Sequence, residues 1–548
     1  MRVRPERRRL GVAVAAPCLL LAAALLGCTR EPTAEATDQL TATATQPKIL
    51  LRGIGPGPDS LDPQKARLIE AHAVLRDLFE CLTALGPDAA PVAGAASDWT
   101  VSDDGRVYTF KLRPALAWSN GDPLVAADFV AGLQRLVDPA TASQYAQVVD
   151  VIENAGQIIA GKEPPTALGV AAPDDATVII RLTTRAPYLP GLLAHPSTCP
   201  VHRPSLAAGA QEFARPGKLV SNGAFTLADW IEGSSITLQR NPHYRGNAHN
   251  QIDGVRYRIF VDENAELRAY RAGELHITFV VPRGQFTWIQ QNLRSELHVS
   301  PQMNTYFYGF NLDRPLFANN PKLRQALSMV IDRDRLADTV LRVGETPANG
   351  WVPVGTHDYG SQSFDYADQP MQERIATARQ LYREAGFSVA KPARFELRYN
   401  SGEMHNKVAI AVASMWKEAL GVEAKLVAVE VKSLLADINA HRVDMFRLSW
   451  AGDYNDAYTY AQYLKSDFGI NTVGYKNPAY DALLAKAAAA AGLTTRRQIL
   501  EEAERLMLAD HPLIPLYFYV NKHLVKPAVR GWYDNVLNVT YSKDLTLE

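Results

Sequence analysis

Residues 444–456 read Asp-Met-Phe-Arg-Leu-Ser-Trp-Ala-Gly-Asp-Tyr-Asn-Asp, side chains suited to holding a charged ligand. Strand periodicity puts Phe446, Leu448 and Trp450 on one face and Met445, Arg447 and Ser449 on the other. Gly452 and Asn455 tolerate unusual backbone angles, so Ala451 to Asp456 reads as a turn. In open α/β sheets ligands bind beyond the C-terminal ends of strands, where Trp450 and Asp453 fall. Arg447 and Asp453 are six residues apart, hence separated by at most roughly 20 Å, while three extended residues span about 10 Å. A cation and an anion so spaced suit the two ends of a short zwitterionic chain. The plain alternative is a surface ion pair, worth roughly 0–1 kcal/mol.

The elements that must position this run alternate in type. Residues 306–311 and 395–400 have the period of strands, and 424–429 makes a third. Helical patterns cover 324–333, 374–386 with Gly386 as C-cap, 406–420, 432–439, 478–491 and 495–510. Residues 401–405 read as a loop leading into the helix at 406, and 510–520 as a returning strand. This alternation predicts an α/β lobe with a largely parallel sheet. Nearer the start, 49–52 reads as a strand and 99–113 as a hairpin around Asp103-Asp104-Gly105.

Several other chemistries are excluded. Gly53 to Gly57 superficially suggests a dinucleotide loop, but Pro56 and Pro58 lack the amide donors such a loop needs. Gly156 to Lys162 has the outer spacing of a phosphate loop, yet Glu163 stands where a hydroxyl should bind magnesium. No G-x-S-x-G, H-E-x-x-H or C-x-x-C occurs, and the histidines lack metal spacing. An enzyme is therefore not expected, nor a cofactor or metal.

The chain has 548 residues, 47% of them hydrophobic, enough for more than one core. A net charge of −1 argues against nucleic-acid binding. Arg2, Arg4, Arg7, Arg8 and Arg9 precede an apolar run ending in Leu25-Leu26-Gly27-Cys28, which reads as an export signal over 1–27. That tetrapeptide is similar to a bacterial lipoprotein processing site, so Cys28 is the expected lipid-bearing residue. Residues 28–47 read as a flexible tether. Thr29 rather than Asp after the cysteine matches outer-membrane sorting if the cell is Gram-negative. Of the remaining cysteines, Cys81 lies in an apolar run read as helical, so Cys81 and Cys199 are expected as two buried thiols. An oxidising compartment would also permit a bridge between them.

Arg447-x-x-Trp450-x-x-Asp453-Tyr454-Asn455 resembles the ligand motif of periplasmic oligopeptide-binding proteins, family 5 of the extracellular solute-binding proteins. Ser60-Leu61-Asp62-Pro63, Trp118 to Pro123, Arg135 to Tyr145, Arg324 to Arg333 and Asp510 to Val520 resemble further landmarks in order, out to Trp532. The resemblance implies an α/β, two-lobe periplasmic-binding-protein (Venus-flytrap) fold of the large, three-domain type. The first domain would take 48–80, 205–305 and 521–548, the second 81–204, and the third 306–520. The implied function is a substrate-binding lipoprotein of a peptide ABC importer, working as a monomer with permease and ATPase subunits in the periplasm. Asp453 would pair with the peptide's α-ammonium; Arg447 and His405 are similar to cations that take its carboxylate, with Arg342 near a third. Trp450 and Tyr145 resemble aromatics beside the ligand, and Asn400 a polar contact. Arg67 falls where some relatives have an acid, and Ala451 where relatives have a bridging cysteine. A retained Arg447 favours a free peptide C-terminus over a murein peptide. Other ligands of the fold, a dipeptide, haem or a nickel chelate, and a non-transport sensor role, are the alternatives.

Overall fold

Three main sheets organise the chain, and the largest carries the run that begins at Met445. The computed structural model describes residues 47–207, 213–452, 454–469 and 471–548. The export segment, Cys28, the tether up to residue 46, and Asp453 lie outside these. Among the described residues no helix is long and apolar enough to cross a membrane.

In chain order the elements that matter here are β1 (Ile49–Ile54) and α1 (Ile69–Leu78), then β2 (Ala96–Val101), β3 (Val107–Leu112), β4 (Val170–Asp174) and β5 (Thr177–Arg181). Next come β6 (Phe225–Ile231), β7 (Ser235–Arg240) and β8 (Gly254–Ile259). The long β9 (Leu297–Phe310), β10 (Thr346–Pro347) and β11 (Arg394–Asn400) follow, then α2 (Glu403–Leu420), β12 (Glu423–Val429), β13 (Met445–Ala451), α3 (Leu493–Asp510) and β14 (Leu513–Leu524).

The sheets have strand orders β1-β8-β7-β6, β2-β3-β5-β4 and β10-β14-β9-β13-β11-β12. The hairpin expected at 99–113 is β2–β3, closed by Gly105 in the left-handed region (φ 68°) where a side chain is disfavoured. Gly386 and Gly421 likewise have positive φ just past the helix Met371–Glu384 and at the end of α2.

The third sheet departs from the largely parallel expectation. Only β11 runs parallel to its neighbours β12 and β13, while β9 is antiparallel to both β13 and β14, and β14 to β10. The cause is topological. β9 brings the chain from the first core to the second, and β14 takes it back, so the two must run in opposite directions. Val525, Val529 and Leu545, beyond β14, pack into the core that also contains Leu50, Phe129 and Tyr257. The other core gathers Tyr306, Trp351, Trp416, Phe446 and Leu516.

The two remaining cysteines correct the expectation of buried thiols. Cys81 and Cys199 form a disulfide, with Cα atoms 4.3 Å apart across a sequence separation of 118. α1 stops at Leu78, because Phe79 is already extended (φ −128°, ψ 147°). Cys81 therefore lies on extended chain rather than on a helix and reaches the segment after Pro196. The apolar run that suggested helix is apolar because it is buried.

Candidate functional site

β13 is central in its sheet, so its side chains are fixed by strands on both sides. Arg447 stands opposite Tyr308 of β9, and Ser449 opposite Tyr306. Tyr306 in turn faces Tyr517 of β14. Directly paired residues share a face, so Arg447, Tyr306, Tyr308 and Tyr517 form one surface. The Tyr306 ring lies 4.4 Å from Tyr517 and the Arg447 guanidinium 4.3 Å from the Tyr306 centroid. Arg447 Nη1 donates to Asn400 Oδ1 at 2.9 Å and Nη2 to the Tyr519 hydroxyl at 2.8 Å. Arg447 is only 8% exposed. Its Nε has no hydrogen-bond partner, and no carboxylate among the described residues pairs with it. Burial works against the charge, but Tyr519, Tyr306 and Tyr517 outweigh it and the pKa is raised. The arginine is thus a desolvated cation held by dipoles and a π face. Such a charge costs several kcal/mol unless an anion joins it.

His405 sits in the first turn of α2, not in a loop, its ring 5.7 Å from that of Tyr306. Its Nδ1 is buried and without a partner. Burial, then the charges of Arg447 and Arg283, push its pKa down to about 4. At neutral pH the imidazole of the ligand-free chain is therefore uncharged.

A sequence model described as "Bacterial extracellular solute-binding proteins, family 5 Middle" matches residues 90–472. The chain belongs to this family. The periplasmic oligopeptide-binding protein OppA of Escherichia coli is 36% identical over 92% of this chain and 93% of its own. The probable deoxycholate-binding periplasmic protein YgiS of the same species is 38% identical over 90% and 92%. Among solved structures, the murein tripeptide-binding protein MppA in its unliganded open form superposes with a TM-score of 0.85 at 35% identity. That match covers 92% of this chain and 98% of that one. The fold is accordingly the α/β two-lobe fold of family 5.

In this family 5 chain the other expected residues divide into two groups. Asn400 joins Arg447 directly. Trp450, half-buried, has its indole N–H committed to the Thr459 carbonyl at 3.0 Å and its ring 4.8 Å from Tyr463, so it offers only a ring face. Tyr145 stands on the first-lobe side, packed on His72 and His195 at 5.1 and 4.7 Å. Its hydroxyl donates to the carbonyl of Arg67 at 3.3 Å, and the Arg67 side chain pairs with Asp59 at 3.0 Å. The reversed charge at Arg67 is thus partly answered within its own loop. Arg342 is exposed and ends a helical turn with φ 56°. Among the described residues no hydrogen bond or ring contact ties Arg342 to the Arg447 cluster. Besides Arg447, the cation that acts on His405 is Arg283, in the segment before β9, which sequence reasoning missed. Its only cue was a charged residue between Pro282 and Gly284.

Asp453 lies outside the described residues, but its neighbours show what holds the loop. Tyr454 stacks on Tyr188 at 4.5 Å, and Asn455 Nδ2 donates to the Ala89 carbonyl at 3.3 Å. Asp456 takes a two-pronged bond from Arg496 at 2.7 and 2.8 Å. Tyr188 and Ala89 therefore touch the loop from segments far earlier in the chain. A cavity of about 600 Å³ opens there, lined by Trp99, Tyr108, Tyr188, Tyr359, Tyr454 and Arg497 among others.

Proposed function

We propose that the chain is the ligand-capturing component of a peptide ABC importer, a binding protein rather than an enzyme. It encloses short peptides between its lobes and recognises main chain and charged ends. Arg447 carries the reading: a buried guanidinium with no acid partner among the described residues and an unpartnered Nε–H is suited to a carboxylate. Asn400 and Tyr519 orient it, and His405 adds a hydrogen bond that strengthens as it protonates. Asp453 takes the α-ammonium, Trp450 and Tyr145 flank the peptide, and Arg342 serves ligands of another length. The protein works as a periplasmic monomer anchored by lipid on Cys28, delivering to permease and ATPase subunits. Its domains are 48–80 with 205–305 and 521–548, then 81–204, then 306–520. OppA-type relatives support this reading by name.

The test is calorimetry on purified protein, unfolded and refolded to strip carried ligand. A free tripeptide should bind with micromolar or tighter affinity. N-acetylation should remove most of that binding through Asp453, and C-terminal amidation through Arg447. No binding of the free peptide to intact refolded protein would overturn the reading. The tyrosine-lined Arg447 would equally take the carboxylate of an amphipathic anion, and YgiS is described as a probable deoxycholate binder. Deoxycholate is therefore titrated alongside, and saturation by it with indifference to peptides would favour that second reading.

A further inference from the structure

Arg447 and His405 do not exhaust the charge at their end of the cleft. Glu345 immediately precedes β10, whose Thr346 pairs with Phe518 of β14. Glu345 is therefore beside Tyr519, the residue whose hydroxyl holds Arg447. The Glu345 side chain is fully buried. It accepts a bond from Lys522 Nζ at 3.2 Å and lies 3.8 Å from Arg283 Nη2. Its second oxygen, Oε2, is buried with no hydrogen-bond partner. Lys522 is locked in place, with 10% of its side chain exposed, whereas Arg283 is 45% exposed and loosely paired.

The charges can be counted. Arg447, Lys522 and Arg283 are positive, Glu345 is negative and His405 is neutral at pH 7. Glu263 also acts on Lys522, but it is exposed and screened by solvent. Three cations against one buried carboxylate leave two positive charges. A single ligand carboxylate on Arg447 neutralises one of them. The other resides on Arg283, close enough to His405 and Lys522 for its charge to lower the pKa of both.

We propose that Arg283, backed by Glu345 and Lys522, forms a second carboxylate subsite next to Arg447 that selects peptides with an acidic side chain at their C-terminal residue. The subsite rests on the peptide reading above. Glu345 pre-positions the guanidinium without immobilising it, because the contact at 3.8 Å is long and half in solvent. Arg283 can swing to a ligand carboxylate and leave Glu345 with Lys522.

The test compares Ala-Ala-Glu, Ala-Ala-Ala and Ala-Ala-Lys by calorimetry on the refolded full chain, at low and high salt. The wild type should bind Ala-Ala-Glu about tenfold more tightly than Ala-Ala-Ala, and Ala-Ala-Lys more weakly, with the differences shrinking at high salt. Arg283→Met should bring the Glu-to-Ala ratio to within about twofold while Ala-Ala-Ala affinity stays within about threefold. Arg283→Glu should invert the preference towards Ala-Ala-Lys, a reversal that a merely structural arginine would not produce. Both variants alter a half-exposed side chain, so both should fold. A wild type that binds the three peptides equally, or an Arg283→Met protein that keeps the full preference, overturns the subsite alone. Failure of all three to bind overturns the peptide reading as well.

Discussion

Replacing Arg447 by Met separates what the arginine does for the ligand from what it does for the fold. In the free protein the substitution removes a desolvated charge, which by itself is neutral to stabilising by roughly 1–4 kcal/mol. It also strands Asn400 Oδ1 and the Tyr519 hydroxyl, at a cost of roughly 1–3 kcal/mol each where water cannot reach them. Both partners are half-buried, so the cost lies at the low end and the terms nearly cancel. The melting temperature of the ligand-free variant should therefore stay within a few degrees of wild type. Ligand affinity should not. Removing one partner of a buried charge pair costs about 2–5 kcal/mol, or roughly thirtyfold to several thousandfold in Kd. The decisive assay is a four-corner cycle: wild type and Arg447→Met, each titrated with a tripeptide and its C-terminal amide. Wild type should lose most of its affinity on amidation, and the variant should bind both forms with similar weakness. An Arg447→Met protein that still discriminates acid from amide as strongly as wild type would falsify the assignment.

Other consequences follow from the same geometry. Because His405 is held near pKa 4 by burial and by cations, a bound carboxylate must raise its pKa. Peptide binding should take up protons and tighten as pH falls from 7 towards 5, which calorimetry in buffers of different ionisation enthalpy detects; His405→Gln should abolish the uptake. Cys81→Ser with Cys199→Ser opens a loop of 118 residues and should cost roughly 2–5 kcal/mol of stability, read by urea denaturation, with little change in peptide affinity for correctly folded protein. Burial lifts the pKa of Glu504 to about 7, although Tyr359, Val352 and Trp351 donate to it. Its unfolded-state pKa is lower, so the native state holds the extra proton, and stability should fall as pH rises from about 4.5 to 7 and level off above. Glu504→Gln should flatten that slope in pH-dependent melting curves.

Much of the third sheet was legible because period-two runs with one apolar face can pack only one way. The strands expected up to Trp450, over 395–400 and from Tyr306 all formed, although the first runs on to Ala451 and the last already begins at Leu297. Helix ends at Gly386 and Gly421 were legible for a local reason, their positive φ. Strand direction was not, because it depends on where the chain must go after each strand. The helix boundary before Cys81 was also hidden, since an apolar run of that length fits a buried helix or buried extended chain equally well. At the site, Arg447 and Asn400 were each legible as residues, but their hydrogen bond was not, because it joins two strands far apart in sequence. The neutrality of His405 and the arrival of Arg283 could not be read, because both depend on groups brought together from distant segments.

The β9–β14 ladder has a mechanical consequence. Its near end, Leu297 against Leu524, is attached to the connector segments; its middle carries Tyr306 and Tyr517 under Arg447. Between them the register slips from Pro301 to Thr305. The strand surface under Arg447 and the chain leading into the first core are thus one ribbon with a register shift between them. Whatever changes the ease of bending at that joint changes the fraction of molecules ready to grip, and apparent affinity scales with that fraction. Substitutions around Gln302 and Asn304, at that joint, become a tuning screw for how easily the ribbon bends.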